Sequence, residues 1–300
     1  MDVEKPIVMF PDWDLTKVLK EVELLQTHDH YVVVDIETTG AHPEKGAEII
    51  QIAAIQISKG EVLDYFSTFV KPQNGIPWSV FNRTGIMGED VRDAPYLEDA
   101  LWEFWRFLGD TPVIVAHNVK FNWDRFLFPV MRECGIPVDP ETPTFCTLKT
   151  YRRACPDLNK ALYKNDAMAW KFGYTLEGAN RADTDVVATA WVFLRLFEWF
   201  NAVDLQDLRR LKREKWLAKI PVEIISVNRW EKQVNPKTLL RRFYVDFKAG
   251  GKKGTAFYDL NRHEWGLKDF KGGIHTGNLE RAVLERLGLS EVSELETYAG

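Results

Sequence analysis

The sequence has few cysteines, and they are not arranged as disulfide or zinc ligands usually are. Cys134, Cys146 and Cys155 are odd in number, and no two of them have C-x-x-C spacing. This argues against a disulfide framework and against a zinc site. We therefore expect free thiols and a cytoplasmic location.

Long hydrophobic runs are also missing. No apolar stretch approaches the roughly 18 residues that a membrane-spanning helix needs. Residues 1–25 alternate charged with apolar side chains and lack the basic start and apolar stretch of a signal peptide. We expect no signal peptide and no membrane partner.

The charge is unevenly distributed along the 300 residues. The net charge is −5, but residues 1–205 hold 31 acidic and 20 basic side chains, whereas residues 206–300 hold 13 acidic and 19 basic ones. An acidic body that holds metal ions, followed by a basic appendage, is typical of an enzyme that acts on a polyanion.

The periodicity of apolar residues predicts an α/β protein followed by a small α+β domain. We predict an N-terminal helical extension over 1–30, a main domain over 31–204, and a basic linker helix with an accessory domain over 205–300. Predicted strands lie at 31–34, 48–58, 64–70, 113–116, 239–247 and 255–260. Predicted helices lie at 15–25, 97–108, 126–134, 162–172, 184–200, 207–219 and 278–287.

Two acidic residues follow the first predicted strand. In YVVVDIETTG, Asp35 and Glu37 are two residues apart, so their side chains leave the same face of a strand about 6.5 Å apart along the backbone. Burying two carboxylates at the end of an apolar strand is costly unless a cation compensates them. The pair is therefore a candidate site for a divalent ion.

Five segments then resemble one family in their order along the chain. They are VVVDIETTG, EIIQIAAI, TGI followed by DAP, IVAHNVKF and LEGANRADTDVVATA. Between Tyr31 and Phe200 the chain resembles the DEDD 3′-to-5′ exonucleases, DnaQ-like and of the DEDDh type. The resemblance implies an RNase H-like mixed sheet flanked by helices. It also implies two-metal hydrolysis with Mg²⁺ or Mn²⁺, four acidic ligands and a histidine base.

Several residues of this chain match the motifs of that family. Asp35 and Glu37 match the first motif, and Asp185 matches the aspartate of the third. Thr38, Thr39 and Gly40 stand where family members contact the terminal nucleotide. The second motif contributes His117, Asn118 and Phe121, which stand where family members contact nucleic acid. For His117 and Phe121 the alternative role is to support the structure.

Two positions depart from the family pattern. HNVKFN places Asn122 where the second motif has its metal-binding aspartate, and NRADTD places Asn180 where the third has its histidine base. An amide is neutral and has no proton-accepting nitrogen. Asp124 is an alternative ligand, because Phe126, Leu127 and Met131 come one position later than the motif predicts, as a one-residue insertion would cause.

The basic tail is a candidate interface. Residues 206–275 contain 17 Lys and Arg against 8 Asp and Glu, interleaved with aromatics, a composition that suits single-stranded nucleic acid. The aromatics are Trp216, Trp230, Phe243, Tyr244 and Tyr258. Protein docking and a plain charged surface are the alternatives.

Three functional hypotheses remain open from the sequence. The first is an exonuclease inactivated at Asn122 and Asn180. The second is a nucleic-acid-binding or scaffolding subunit that has lost the reaction, and the third is an enzyme that uses Asp124 and another base. The expected ligand is a single strand or a duplex with a 3′ overhang, with DNA favoured over RNA.

Overall fold

The chain divides into two compact units. The computed structural model describes residues 13–176, 181–235, 238–270 and 273–298. The first unit runs from Met1 to Leu208 and the second from Arg209 to Gly300. Asn180, the position of the expected general base, lies outside the described residues.

The first unit is built on a mixed five-stranded sheet. Its strand order is β3-β2-β1-β4-β5. β1, β2 and β3 pair antiparallel, whereas β4 and β5 run parallel to β1. This is the RNase H-like mixed sheet that was predicted. The strands are β1 (His30–Thr38), β2 (Ile49–Ser58), β3 (Glu61–Phe69), β4 (Val113–Ala116) and β5 (Thr144–Cys146).

Helices cover both faces of this sheet. β1 is the central strand, and its successive apolar residues alternate between two cores. Tyr31 and Val33 pack in the core that contains α1, α5, α6 and α7, while Val32 and Val34 pack in the core that contains α3 and α4. The helices are α1 (Leu19–Thr27), α2 (Trp78–Thr84), α3 (Leu97–Leu108), α4 (Phe128–Glu133), α5 (Thr147–Ala154), α6 (Asn165–Lys171) and α7 (Ala182–Asn201).

Three predicted helices differ from those in the structure. The helix predicted at 15–25 is a 3₁₀ turn, Leu15–Val18, followed by α1, and the helix predicted at 162–172 is a 3₁₀ turn, Lys160–Tyr163, followed by α6. The helix predicted at 126–134 is α4, preceded by a π-helix over Lys120–Leu127. A π-helix accommodates one extra residue within a helical turn, which is the offset seen in the second motif.

The second unit is a four-stranded antiparallel sheet with one helix against it. The sheet order is β6-β7-β8-β9, and Leu279 and Val283 of α9 complete its core. The elements are α8 (Leu205–Leu217), which begins in the first unit, β6 (Val222–Asn235), β7 (Thr238–Ala249), β8 (Lys252–Asp259), β9 (Glu264–Leu267) and α9 (Thr276–Leu287).

This arrangement corrects part of the predicted nucleic-acid interface. Phe243 and Tyr258 are buried in the core of the second unit, with 1% and 5% of their surface exposed. They alternate with outward residues along β7 and β8, so they cannot stack on a base. Trp216 and Trp230 remain exposed.

Within the described residues, no helix alone has the length and hydrophobicity to span a membrane. α7 and α8 meet that criterion only when taken together, and they are bent by 87°.

Candidate active site

Three carboxylates converge at one end of the central strand. Asp35 and Glu37 lie on β1 and face the same side of the sheet as Tyr31 and Val33, which is the side covered by α7. Asp185 is in the first turn of α7. One carboxylate oxygen from each of the three lies within 4.8 Å of the others.

Hydrogen bonds and packing fix the start of α7 above the strand. The backbone N–H of Ala182 donates to Oε1 of Gln51, at 3.1 Å, and Gln51 lies directly opposite Glu37 in the β1–β2 pairing. About three turns further along α7, Phe193 packs on the ring of Tyr31 with 4.9 Å between centroids. The side chain of Asn165 donates to the backbone carbonyl of Asp185, at 3.0 Å.

The site is unfavourable for negative charge when no cation is bound. Burial, followed by the nearby charges of Asp185 and Glu37, raises the pKa of Asp35 well above its usual value. Burial also raises the pKa of Glu37 to about 8, although the Arg83 guanidinium opposes this shift. Both shifts have the cause expected for carboxylates that share a poorly solvated site.

These residues fit a divalent cation. Carboxylate oxygens are the preferred ligands of Mg²⁺ and Mn²⁺, and a cation would offset the burial and the repulsion that raise both pKa values. Within the described residues, this trio is the group of acidic, histidine or cysteine side chains with suitable geometry.

Asn122 occupies the fourth position of the predicted ligand set. It lies in the π-helix with only 3% of its surface exposed. Its amide Nδ2 donates to Oδ1 of Asp35, at 3.0 Å. This hydrogen bond lowers the pKa of Asp35 against the larger effects that raise it. A neutral donor therefore contacts the carboxylate where the family has a fourth anion.

Asp124, the alternative ligand, lies elsewhere. Its side chain is exposed and lines a separate cavity with Lys120, Lys149 and Arg153. The π-helix explains the difference, because it absorbs the extra residue between Asn122 and Phe126 and leaves Asn122 against Asp35.

His117 is held inside the protein by both ring nitrogens. Nδ1 lies 3.0 Å from the Thr147 hydroxyl and Nε2 lies 2.9 Å from the carbonyl oxygen of Tyr163. Burial lowers the pKa of His117 to about 4, so the ring is neutral at pH 7. A neutral ring with both nitrogens engaged supports the structure, whereas the neighbouring Asn118 is exposed and has a left-handed backbone, with φ of 88°.

The remaining predicted contacts form the turn after β1 and the wall beside it. Thr38 is buried, and its hydroxyl donates to the carbonyl of Gly40, at 2.7 Å. The hydroxyl of Thr39 accepts from the backbone N–H of Glu48, at 2.8 Å. Phe121 is partly buried and packs on Phe126 with 5.0 Å between centroids.

The structure adds three residues that the sequence did not point to. Arg83 on α2 places Nη2 3.8 Å from Oε2 of Glu37, while Gln51 and Asn165 position α7. Arg83 and Asn165 belong to none of the five family segments. Gln51 lies within one of them, EIIQIAAI, and a polar residue inside this apolar strand is the one signal that could have marked it.

Comparison with known proteins agrees with this geometry. Residues 32–193, more than half of the chain, match the exonuclease family named RNase_T. The chain belongs to the DEDD 3′-to-5′ exonuclease family. Members of this exonuclease family use divalent metal ions, which agrees with the carboxylate cluster on β1 and α7.

Three relatives of this chain are DNA polymerase III proteins of bacteria. DNA polymerase III subunit epsilon of Aquifex aeolicus is 33% identical, over 62% of this chain and 91% of that protein. DNA polymerase III PolC-type of Clostridium perfringens is 35% identical, over 67% of this chain and 13% of that protein. The PolC-type protein of Thermotoga maritima is 32% identical, over 89% of this chain and 19% of that protein.

The two kinds of relative differ in what they cover. The PolC-type relatives are much longer, and this chain spans less than a fifth of their length. An alignment over 89% of this chain necessarily extends past Leu208 into the second unit.

Proposed function

We propose that this chain is a 3′-to-5′ exonuclease module in which the reaction is disabled at Asn122 and Asn180. The observation that carries the proposal is the amide of Asn122, which is buried in the fourth ligand position and donates to Asp35 at 3.0 Å. The surrounding framework of a nuclease is otherwise present. Asp35, Glu37 and Asp185 would hold Mg²⁺ or Mn²⁺.

The carboxylates, Arg83 and the two amides have different roles at this site. Asp35, Glu37 and Asp185 would hold the metal ions, which would supply an activated water and stabilise the leaving oxygen, as in two-metal hydrolysis. Arg83 lies 3.8 Å from Glu37 and would help to orient it. Asn122 supplies no negative charge, so the site is one anion short of the family's four. Asn180 cannot accept a proton from water, so a general base is missing.

The proposed substrate is the 3′ end of a nucleic acid, as a single strand or a duplex with a 3′ overhang. DNA is favoured over RNA because the relatives described above are DNA polymerase III proteins. Those relatives work within a polymerase, so the second unit is a candidate surface for a protein partner. Free cysteines agree with a cytoplasmic location.

The test compares the chain with a variant that restores both family residues, Asn122→Asp with Asn180→His. Both are incubated with 5′-labelled DNA and RNA, single-stranded or with a 3′ overhang, in Mg²⁺ or Mn²⁺. We expect the restored variant to shorten the substrate from its 3′ end. The unaltered chain should be slower by at least about 10²-fold, because loss of a general base alone typically costs 10² to 10⁴.

Controls separate the three hypotheses. Adding Asp185→Asn to the restored variant, or adding EDTA, should abolish trimming. A restored variant that trims nothing would reject the enzyme and favour the binding or scaffolding subunit. Equal trimming by the unaltered chain would show that the two amides are not disabling, and Asp124→Asn in that chain would then test whether Asp124 serves as a ligand.

A further inference from the structure

Two cavities lie side by side next to the carboxylates. The first has a volume of about 490 Å³ and reaches Asp185, and its wall includes Arg152, Lys160 and Lys164. The second has a volume of about 460 Å³, and its wall includes Lys120 and Lys149. Both are lined by Asn118, Leu148 and Arg152. The two cavities are therefore adjacent, and the pair, called the depression below, begins at Asp185 in the first cavity.

The depression is cationic in a unit that is acidic as a whole. Residues 144–164 contain five Lys and Arg but only one Asp. The cations Lys120, Lys149, Arg152, Lys160 and Lys164 are called the basic channel below. Apart from Asp185, the carboxylates that line it are Asp124 and Asp166, so positive charge predominates.

In the part of the chain that the structure describes, no ion pair neutralises the basic channel. Within the described residues, none of its lysines forms an ion pair with a carboxylate, and Arg152 instead lies over the Tyr163 ring at 5.4 Å. Arg153, which lines the second cavity, is different because it pairs with Glu21. All five side chains are exposed to solvent, so they are available to a ligand.

We propose that the basic channel binds the sugar-phosphate backbone of the nucleic-acid strand whose 3′ end lies at Asp35, Glu37 and Asp185. This inference rests on the proposed function. A strand with its end at the carboxylates must continue along the adjacent surface, and its phosphates repel the acidic remainder of the unit. Lysines and arginines that are not paired attract them and release condensed counterions.

The first experiment is a local footprint on the full chain in EDTA. Exposed lysines are acetylated with and without a single-stranded oligonucleotide, and the extent of modification is measured by mass spectrometry. We expect the strand to protect Lys160 and Lys164. Lys59 is exposed in the turn after β2, at the end of β1 that lies away from Asp35 and Glu37, and it should remain equally reactive. Unchanged acetylation of Lys160 and Lys164 at saturating oligonucleotide would overturn the inference.

The second experiment measures affinity by fluorescence anisotropy in EDTA. The triple variant Arg152→Gln, Lys160→Gln, Lys164→Gln should bind at least about 10-fold more weakly at low salt, and its dependence of log Kd on log salt should fall by about 2. The matched control removes three arginines that line neither cavity, Arg92→Gln, Arg106→Gln, Arg132→Gln. All six positions are exposed. The melting temperature of each triple variant should therefore stay within about 2 °C of that of the parent.

The two proposals fail in different ways. The basic channel is overturned if the channel variant and the control lose affinity equally, or if the parent shows no measurable binding. Either result counts whether or not the restored variant trims DNA. Loss of binding in the channel variant alone supports the channel. If the restored variant then fails to trim, the proposed reaction is wrong and strand binding by the channel remains.

Discussion

At the scale of single residues, the carboxylates are placed where their charges oppose folding. Glu37 is 8% exposed. Within the described residues, the one cation that pairs with it is Arg83, whose Nη2 lies 3.8 Å from Oε2 of Glu37. The unfolded chain ionises Glu37 at its ordinary pKa of 4.5, whereas the folded chain retains the proton up to about pH 8. Between these values the folded state binds more protons.

This difference predicts how stability depends on pH in EDTA. The contribution of Glu37 to the free energy of unfolding should fall as pH rises from about 4.5 to 8, by up to about 1.4 kcal/mol per pH unit. Glu37→Gln removes the ionisable group. The variant should therefore gain stability relative to the parent with rising pH, as measured by urea unfolding at pH 5, 6.5 and 8.

Glu61→Gln at the exposed start of β3 is the control, and its difference from the parent should not grow with pH. A parallel pH dependence for Glu37→Gln and the parent would contradict the prediction. Mg²⁺ or Mn²⁺ should reduce the gain, because a bound cation favours the ionised carboxylates of the folded parent.

At this scale the sequence predicted only part of the site. Asp35, Glu37 and Asp185 could be selected because motif and strand periodicity place them together. Arg83 could not, because it lies just before the TGI segment and outside every motif, and only the fold brings it to Glu37. The choice between Asn122 and Asp124 also depended on backbone geometry that the sequence leaves open.

At the scale of secondary structure, the π-helix preserves the site against an extra residue. Asp124 is exposed, whereas Asn122 and Phe126 on either side of it are buried. Deleting Asp124 should convert the π turn into an ordinary α-helical turn and keep both buried contacts. We expect the deletion to change the melting temperature by no more than about 5 °C.

The same deletion in the restored Asn122→Asp, Asn180→His variant should retain 3′ trimming. The matched control deletes the exposed Glu103 in α3, which is a regular helix. That deletion rotates Phe104 and Leu108 by about 100° away from the core and should unfold the protein or cost more than about 3 kcal/mol. Equal damage from both deletions, measured by circular dichroism, would contradict a π-helical insertion.

Regular elements were predictable and irregular ones were not. α3 was predicted with its observed bounds of Leu97–Leu108, because its apolar residues recur at helical spacing. β6 was missed, although it is 14 residues long. The register of its pairing with β7 shifts between Ile224 and Ser226. As a result, the core face holds Val222, Ile224 and Val227. The two-residue alternation that identifies a strand in sequence is therefore broken. β5 has only 3 residues, too few for a periodic signal.

At the scale of the whole molecule, the border between the units falls inside α8. Leu208 is 5% exposed and belongs to the core of the first unit, and Leu205 packs against that core. A fragment ending at residue 204, the predicted domain border, would lose both contacts. A fragment ending at residue 217 would keep them.

We therefore expect the fragment 1–217 to be more stable than the fragment 1–204. Burial of one leucine contributes about 1.5 to 3 kcal/mol, so the melting temperatures should differ by about 4 to 8 °C. Thermal unfolding followed by circular dichroism measures this difference. In the fragment 1–217, Leu208→Ala should lower the melting temperature by most of this difference. Leu211→Ala, at a position that is 46% exposed, should leave the melting temperature nearly unchanged.

The charge asymmetry of the molecule was readable from the sequence, but the use of its aromatic residues was not. Counting charges separated an acidic first part from a basic second part. Only the strand pairing shows that Phe243 and Tyr258 are neighbours on the buried face of the second sheet. Faces of a sheet are decided by pairing partners that lie far apart in the chain.

The fit of Asn122 against Asp35 also bears on how readily the protein could change by mutation. Codons for asparagine and aspartate differ in one base, as do codons for asparagine and histidine. A carboxylate has nearly the shape of the buried amide, so Asn122→Asp changes the charge of the site far more than its packing. Restoring both family residues therefore takes two single-base changes, and the one at Asn122 adds a carboxylate beside Asp35 that only a bound cation would balance.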